Sequence, residues 1–151
     1  MSRVQLALNV SDLDAAITFY SNLFGTGPAK LRPGYANFAV AEPPLKLVLI
    51  EGHGDAGTLN HLGIEVESPE EVERARDRLA DEGLATVTET GVACCFARQD
   101  RVWVDGPDRE PWEIYTVLAD VEHEPGELRP DAPAADATCC ADAPASASRC
   151  C

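Results

Sequence analysis

The sequence lacks any apolar run of the roughly 18–20 residues that a membrane-spanning helix requires, although 45% of its 151 residues are hydrophobic. It also lacks the basic and apolar regions of a secretory signal, because an alternating strand pattern begins at Arg3. We therefore expect a single cytoplasmic domain that is not embedded in a membrane.

Basic residues are scarce. The chain has 12 lysines and arginines against 26 aspartates and glutamates, which gives a net charge of -14. Such a charge repels nucleic acid phosphates and anionic lipid surfaces. Neither nucleic acid nor a membrane is therefore an expected partner.

The cysteines lack the spacing of a disulfide framework, because all six occur in adjacent pairs. A disulfide between neighbouring residues closes a small strained ring and constrains little of the chain. In a reducing compartment the pairs would remain dithiols, which are ligands for soft, thiophilic ions. The pairs are Cys94 and Cys95, Cys139 and Cys140, and Cys150 and Cys151.

Two kinds of periodicity alternate along the first third of the chain. Residues 3–10 alternate between apolar and small or polar residues, which predicts a strand with one apolar face. Ser11 is then expected to cap a helix that ends at Gly25. Short apolar runs at 28–31, 35–40 and 45–50 predict three further strands.

The same order of elements repeats in the second half. A strand is predicted over 60–67, and Ser68 to Glu71 form a capping box with Pro69 at the first helical position. Three more strands are predicted over 86–92, 96–104 and 112–118. The fold class is therefore α+β, with paired βαβββ modules at 3–51 and 59–118 in a domain of residues 1–119. The composition of residues 120–151 predicts a flexible, acidic tail that carries the last four cysteines.

Three polar residues fall at matching positions of this repeat. Gln5 in the first strand corresponds to His61 in the fifth, and the alternation of the last strand places Glu113 on the same face. An imidazole, a carboxylate and an amide oxygen would leave coordination positions open, as in the facial triad that holds ferrous iron. The alternative is a solvated polar strand face, on which a lone histidine has no ligand role.

Other polar residues are given other roles. His53 and His123 are expected to be solvated loop residues. Lys46 is expected to correspond to Glu113 in the first module, where it would line the rim of the site or form an ion pair rather than bind a metal.

The chain resembles the cadmium-induced and organoarsenical carbon-arsenic lyase branch of the vicinal oxygen chelate superfamily over about residues 3–118. The resemblance is carried by VQLALNVSDLDAAITFYSNLFG, NHLGIEVESPEEVERARDRL, TGVACCFARQDRVWVDGPD and PWEIY. The adjacent cysteines before phenylalanine and the Asp-Gly-Pro-Asp turn are specific to that branch. The resemblance implies a vicinal oxygen chelate fold, in which the paired modules form a metal-binding cup.

The resemblance also implies residue roles. Iron(II) would be held by Gln5, His61 and Glu113, with Gln5 at a position where many relatives have histidine. Cys94 and Cys95 would bind trivalent organoarsenic and make up the catalytic pair. The alternative for this pair is two buried cysteines that act as small hydrophobic residues.

The implied activity is an iron(II)- and dioxygen-dependent lyase that cleaves methylarsenite and trivalent aromatic arsenicals to arsenite. Tyr115 shares the face of Glu113 and is a candidate acid or base. Two alternatives stay open: a non-catalytic cadmium- or arsenic-binding sequestration protein, and a generic glyoxalase- or dioxygenase-like member of the superfamily. The chain is expected to be a monomer or a homodimer.

Overall fold

A computed structural model describes residues 2–94 and 96–121. Within them, eight strands and two helices follow one another as two βαβββ modules. The first module comprises β1 (Arg3–Val10), α1 (Leu13–Phe24), β2 (Lys30–Arg32), β3 (Tyr35–Val40) and β4 (Leu45–Glu51). The second comprises β5 (Leu59–Glu65), α2 (Pro69–Asp81), β6 (Thr86–Cys94), β7 (Ala97–Asp105) and β8 (Pro111–Asp120).

All eight strands form one sheet in the order β2-β3-β4-β1-β5-β8-β7-β6. Each module contributes four neighbouring strands, and the first strand of each lies parallel to its last strand, β1 with β4 and β5 with β8. The modules join where β1 and β5 pair antiparallel. The predicted α+β fold of paired βαβββ modules is confirmed.

The first helix begins one residue later than expected. The side chain of Asp12, rather than that of Ser11, caps α1 by accepting a hydrogen bond of 2.9 Å from the Ala15 backbone nitrogen. Gly25 ends the helix in the left-handed conformation, with φ of 65°, as predicted. The apolar face of α1 packs through Leu13 on a buried cluster that includes Phe38 of β3.

The second helix has only part of the expected cap. Ser68 occupies the cap position but makes no side-chain hydrogen bond there, and Glu71 accepts a 2.7 Å hydrogen bond from the backbone nitrogen of Glu67. Val72, Ala75 and Leu79 bury the inner face of α2.

Both helices cover the same face of the sheet. Leu6 of β1 packs in the core cluster of α1, and Ile64 of β5 packs in that of α2. Leu6 and Ile64 both lie in the antiparallel β1–β5 pair, where Leu6 is opposite Leu62 and Ile64 is opposite Val4. Residues of even number on β1 therefore face the helices, and the odd-numbered residues face the other side.

The opposite face of the sheet encloses a cavity of about 250 Å³. It is lined by Tyr35 and Asn37 of β3 and by Ala97 and Gln99 of β7, although four strands separate β3 from β7 in the sheet. Strands so far apart can share a cavity only because the sheet curves strongly. Within the described part of the chain, neither helix is both long and apolar enough to cross a membrane.

The last strand extends further than expected. β8 continues through Asp120, a residue that the sequence had assigned to the tail, and its final residues pair with Ala97 and Arg98 of β7. The backbone nitrogen of Val121 donates a 3.0 Å hydrogen bond to the carbonyl oxygen of Phe96. The folded body therefore reaches Val121.

Candidate metal centre

Three predicted metal ligands lie on three adjacent strands. Gln5 is on β1, His61 on β5 and Glu113 on β8, and Gly63 pairs with both Gln5 and Glu113. The side chains are buried, with exposures of 3%, 1% and 2% in that order. Buried polar side chains require partners, so the alternative of a solvated strand face is wrong for these residues.

The polar end atoms of this triad, Gln5, His61 and Glu113, form a compact triangle. Gln5 Nε2 lies 3.0 Å from His61 Nε2 and 2.8 Å from Glu113 Oε1, and the last two atoms are 3.3 Å apart. Donor atoms that meet at right angles, each about 2.1 Å from a six-coordinate divalent ion, lie roughly 3.0 Å apart. The triad therefore has the size of one face of an octahedral metal site.

The amide is essential to this geometry. Among residues 2–94 and 96–121, no three His, Cys, Asp or Glu side chains cluster closely enough to hold a metal ion. Two strong donors and one neutral amide oxygen would leave the remaining coordination positions to small molecules.

A chain of amide side chains orients His61. Its Nδ1 lies 2.7 Å from Asn60 Oδ1, and Asn60 Nδ2 donates a 3.0 Å hydrogen bond to Asn9 Oδ1. Asn9 in turn donates to Thr58 Oγ1 at 3.0 Å. Because a carbonyl oxygen only accepts, Nδ1 carries a proton, which leaves Nε2 as the nitrogen that could bind a metal.

Glu113 is held as a carboxylate. Burial alone would raise the pKa of Glu113, but the contact with His61 and the positive charges of Arg101 and Lys46 lower it below its ordinary value. Its Oε2 is buried and has no hydrogen-bond partner among the described residues, while Arg101 Nη1 lies 3.8 Å away. Oε2 therefore faces the guanidinium of Arg101, and Oε1 is the carboxylate oxygen that faces Gln5 and His61.

Arg101 links Glu113 to a second buried carboxylate. Its Nε donates to Glu89 Oε2, which also accepts a 3.0 Å hydrogen bond from Trp103 Nε1. Arg101 and Glu89 are 1% and 4% exposed. Sequence reasoning missed Arg101, Glu89 and the amides behind His61. The only signal in the sequence was strand alternation, which places Asn9 on the same face of β1 as Gln5.

The Gln5 amide presents its nitrogen to the other two donors and its oxygen to Tyr115. The Tyr115 hydroxyl donates a 2.6 Å hydrogen bond to Gln5 Oε1 and lies 3.3 Å from Glu65 Oε2. Burial and the nearby charges of Glu113 and Glu65 raise the pKa of Tyr115, which keeps the phenol protonated. The triad fits a metal once the amide oxygen faces His61 and Glu113.

The fourth position of the pseudo-symmetric site is apolar. A shift of 56 residues superposes Gln5 on His61 and Ala7 on Gly63. In the β1–β5 ladder, Gln5 pairs with Gly63 and Ala7 pairs with His61. Ala7 pairs with Val48 on β4, and Gly63 pairs with Glu113 on β8, so Val48 is the counterpart of Glu113. Val48 supplies no metal donor.

Lys46 was wrongly expected at that position. It pairs with Gln5 in the parallel β1–β4 ladder, two residues before Val48. Its Nζ lies 3.5 Å from Glu65 Oε2 and 4.9 Å from the centroid of the Tyr115 ring. Lys46 lines the cavity and forms an ion pair.

The hairpin that carries the first cysteine pair reaches the cavity. β6 ends at Cys94, which pairs in the backbone with Ala97 of β7, a residue that lines the cavity. Phe96 packs on Tyr35, a cavity residue, with ring centroids 5.5 Å apart. Gly91 lies at an irregularity within β6, with φ of 63°.

Several predicted residues lie outside what the structure describes. They are Cys95, the side chain of Cys94, His123 and the tail cysteines Cys139, Cys140, Cys150 and Cys151. His53 is half-buried, in the loop between β4 and β5.

Three comparisons place the chain among known proteins. It is 67% identical over 123 residues to the trivalent organoarsenical cleaving enzyme of Thermomonospora curvata, covering 81% of this chain and 82% of that protein. It is 66% identical over 122 residues to the cadmium-induced protein CadI of Mycobacterium tuberculosis, covering 81% and 80%. The Mn(II)-bound glyoxalase of Novosphingobium aromaticivorans shares the fold at 20% identity and a TM-score of 0.56, over 82% of this chain and 42% of that one.

A family model covers most of the folded body. Residues 3–114 match the model of the Glyoxalase/Bleomycin resistance protein/Dioxygenase superfamily. These residues include all three members of the triad. The chain belongs to this superfamily.

Proposed function

We propose that the protein is an iron(II)- and dioxygen-dependent lyase that cleaves the carbon-arsenic bond of trivalent organoarsenicals and releases arsenite. The observation that carries the proposal is the buried triad of Gln5, His61 and Glu113 beside a cavity that the cysteine-bearing hairpin reaches. The high identity to a relative named as a trivalent organoarsenical cleaving enzyme supports the same activity.

The triad would hold the metal. His61 Nε2 and Glu113 Oε1 are strong donors, and the Gln5 amide oxygen would complete one face of the coordination sphere. Iron(II) in this site would supply the redox chemistry that dioxygen requires. The protein's own contribution is to keep Glu113 ionised through Arg101 and to direct Nε2 of His61 towards the metal through Asn60.

Cys94 and Cys95 would hold the substrate. Trivalent methylarsenic makes three bonds, one of them to carbon, so two thiolates complete its shell. Ala97, opposite Cys94 in the β6–β7 ladder, lines the cavity that Gln5 and Glu113 also line. Binding of arsenic at this hairpin would therefore hold the carbon-arsenic bond close to the metal site, which accelerates a reaction through proximity. Reduced thiols require a reducing compartment, so we propose a cytoplasmic location.

A second candidate function is sequestration of cadmium or arsenic without turnover. The cadmium-induced relative at 66% identity favours it, and the tail cysteines would then bind metal together with Cys94 and Cys95. A third candidate, a generic glyoxalase- or dioxygenase-like activity, would leave the cysteine pair without a role.

The test is anaerobic reconstitution with iron(II), followed by addition of methylarsenite and air and by arsenic speciation. The lyase produces many arsenite molecules per protein, and only when both iron and oxygen are present. A product yield at or below one per cysteine pair, unchanged when oxygen is excluded, would contradict the lyase and favour sequestration.

A further inference from the structure

The Gln5 amide has two unlike ends at a position where only one of them can bind a metal. The amide oxygen is a donor for hard cations, whereas the lone pair of the amide nitrogen is delocalised into the carbonyl group. In the structure Nε2 faces His61 and Glu113, and Oε1 faces Tyr115. A metal therefore requires the amide to turn over.

After that turn, Gln5 Nε2 would occupy the place beside the Tyr115 hydroxyl where Oε1 now lies, 2.6 Å away. A nitrogen that carries hydrogen atoms needs an acceptor there. The Tyr115 hydroxyl can accept this hydrogen bond if its own proton points elsewhere, because a hydroxyl both donates and accepts. Glu65 Oε2, 3.3 Å from the hydroxyl, is an acceptor in the right place.

Glu65 is well fixed for this role. Its carboxylate accepts hydrogen bonds from Arg3 Nε at 2.9 Å and Arg3 Nη2 at 3.2 Å, and Lys46 Nζ lies 3.5 Å away. Both cations keep the carboxylate ionised, so it accepts and does not donate. Lys46 also lies over the Tyr115 ring, which limits the movement of the phenol.

We propose that Tyr115, backed by Glu65, is a positioning residue that stabilises the metal-binding orientation of the Gln5 amide. Its hydroxyl donates to Gln5 Oε1 in one amide orientation. In the other it accepts from Gln5 Nε2 and donates to Glu65. The inference rests on the metal site proposed above and explains how a chain with glutamine at this position presents an oxygen to the metal.

The test is a double-mutant cycle read out as iron(II) affinity, measured anaerobically by competition with a chelator. In the metal-binding orientation the Tyr115 hydroxyl accepts from Gln5 and gives its proton to the Glu65 carboxylate, whereas in the other orientation that one proton is taken by Gln5 Oε1. Tyr115→Phe therefore costs the metal-binding orientation more, and it should raise the dissociation constant for iron(II) by about 10- to 100-fold, the usual range for residues that orient ligands. In a Gln5→Glu background both ends of the side chain are oxygens, so orientation no longer matters. There Tyr115→Phe should change the dissociation constant by less than about 3-fold.

A second variant and a control protect the test against a folding defect. Glu65→Met removes the acceptor that the Tyr115 hydroxyl needs. It should weaken iron(II) binding in the protein with Gln5 but not in the Gln5→Glu background. Tyr20→Phe removes a hydroxyl from α1, on the helix side of the sheet, and should leave the dissociation constant unchanged.

The outcomes separate this inference from the site on which it rests. Equal losses of affinity in the Gln5 and Gln5→Glu backgrounds, or no loss in Tyr115→Phe, would overturn the positioning role while His61→Ala still abolishes binding. Full iron(II) affinity in His61→Ala would overturn the metal site and the inference together.

Discussion

Gly63 pairs with Glu113 in the parallel β5–β8 ladder, and a Cβ atom on Gly63 would lie 3.3 Å from Glu113 Cγ. On its other side the same Cβ atom would lie 3.2 Å from both Cβ and Nε2 of Gln5. These distances are tighter than ordinary van der Waals contacts. The absence of a side chain at residue 63 therefore allows the two flanking donors to approach each other.

Gly63→Ala should move both donors apart by a few tenths of an ångström. We expect iron(II) affinity to fall by about 10-fold and the free energy of unfolding to fall by about 1–3 kcal/mol, as in other overpacked sites. The matched control is Gly27→Ala, because no atom lies within 4 Å of its Cβ position. Chelator competition and thermal melts measure the two effects, and an unchanged affinity in Gly63→Ala would contradict the crowding.

Strand parity was enough to predict which residues share a face. Alternation placed Gln5 and His61 on the side away from the helices, and both lie there, within 3.0 Å of each other. Parity does not fix the register between strands, because a shift of two residues keeps every side chain on its face. Lys46 was therefore taken as the counterpart of Glu113, whereas the pairing of β4 with β1 gives that place to Val48.

Burial of the polar face was not predictable from the sequence. Glu89 lies between two threonines and Arg101 directly follows Asp100, so the local sequence is as polar as a solvated strand segment. Curvature of the sheet buries both residues, and curvature arises from long-range packing that no local pattern encodes. The N-cap of α1 was also predicted one residue too early. Ser11 and Asp12 are both good capping residues, and the backbone geometry selects Asp12.

Replacing His61 or Glu113 by alanine should abolish iron(II) binding, because an open three-ligand site loses most of its affinity with one strong donor. Gln5→Ala should weaken binding less, since a neutral amide oxygen is the weakest of the three donors. His53→Ala is the matched histidine control and should bind like the unaltered protein. Metal analysis after gel filtration measures occupancy, and full occupancy in the His61 variant would refute the triad.

Glu65 should make stability depend on pH in the acid range. Burial alone would raise the pKa of Glu65, but the hydrogen bond from Arg3 and the charges of Lys46 and Arg3 lower it. A carboxyl group with a lowered pKa stabilises the fold fully above its unfolded value of about 4.3, and the stabilisation is lost as the pH falls through the folded value.

Glu65→Gln should therefore destabilise the protein by about 1–2 kcal/mol at pH 7, and the difference should shrink below about pH 4.3. Denaturant titrations between pH 3 and pH 7 measure both quantities. The exposed residue Glu73 supplies the control, since Glu73→Gln should have little effect at any pH in this range. A constant difference between Glu65→Gln and the unaltered protein would contradict the assigned ion pairs.

Two truncations test where the folded body ends. Removal of residues 122–151 should leave the melting temperature nearly unchanged and retain activity, because their composition cannot bury a core. Truncation after Leu118 should lower the free energy of unfolding by about 1–2 kcal/mol. It removes the ion pair between Asp120 and Lys30 and the hydrogen bond from Val121 to Phe96. Equal melting temperatures for the two truncations would place the boundary before Ala119.

Substitution of the first cysteine pair distinguishes the lyase from the sequestration protein. In the lyase the pair holds the substrate for turnover, whereas in the sequestration protein it only binds arsenic or cadmium. In a lyase, Cys94→Ser or Cys95→Ser should each abolish turnover and leave iron(II) binding intact, since a hydroxyl is a poor ligand for arsenic. A variant with serine at all four tail positions, Cys139, Cys140, Cys150 and Cys151, should still release arsenite.

Sequestration predicts the inverse pattern. Each lost pair, including the tail pairs, would lower the stoichiometry of bound arsenic, and neither iron nor oxygen would change the result. Arsenic bound per protein and arsenite released per protein are therefore measured on the same variants, with and without air. Turnover that disappears with Cys94 or Cys95 and persists without the tail cysteines requires the β6–β7 hairpin beside the cavity. Binding that falls in proportion to the cysteine pairs removed, without turnover in any variant, would refute the lyase.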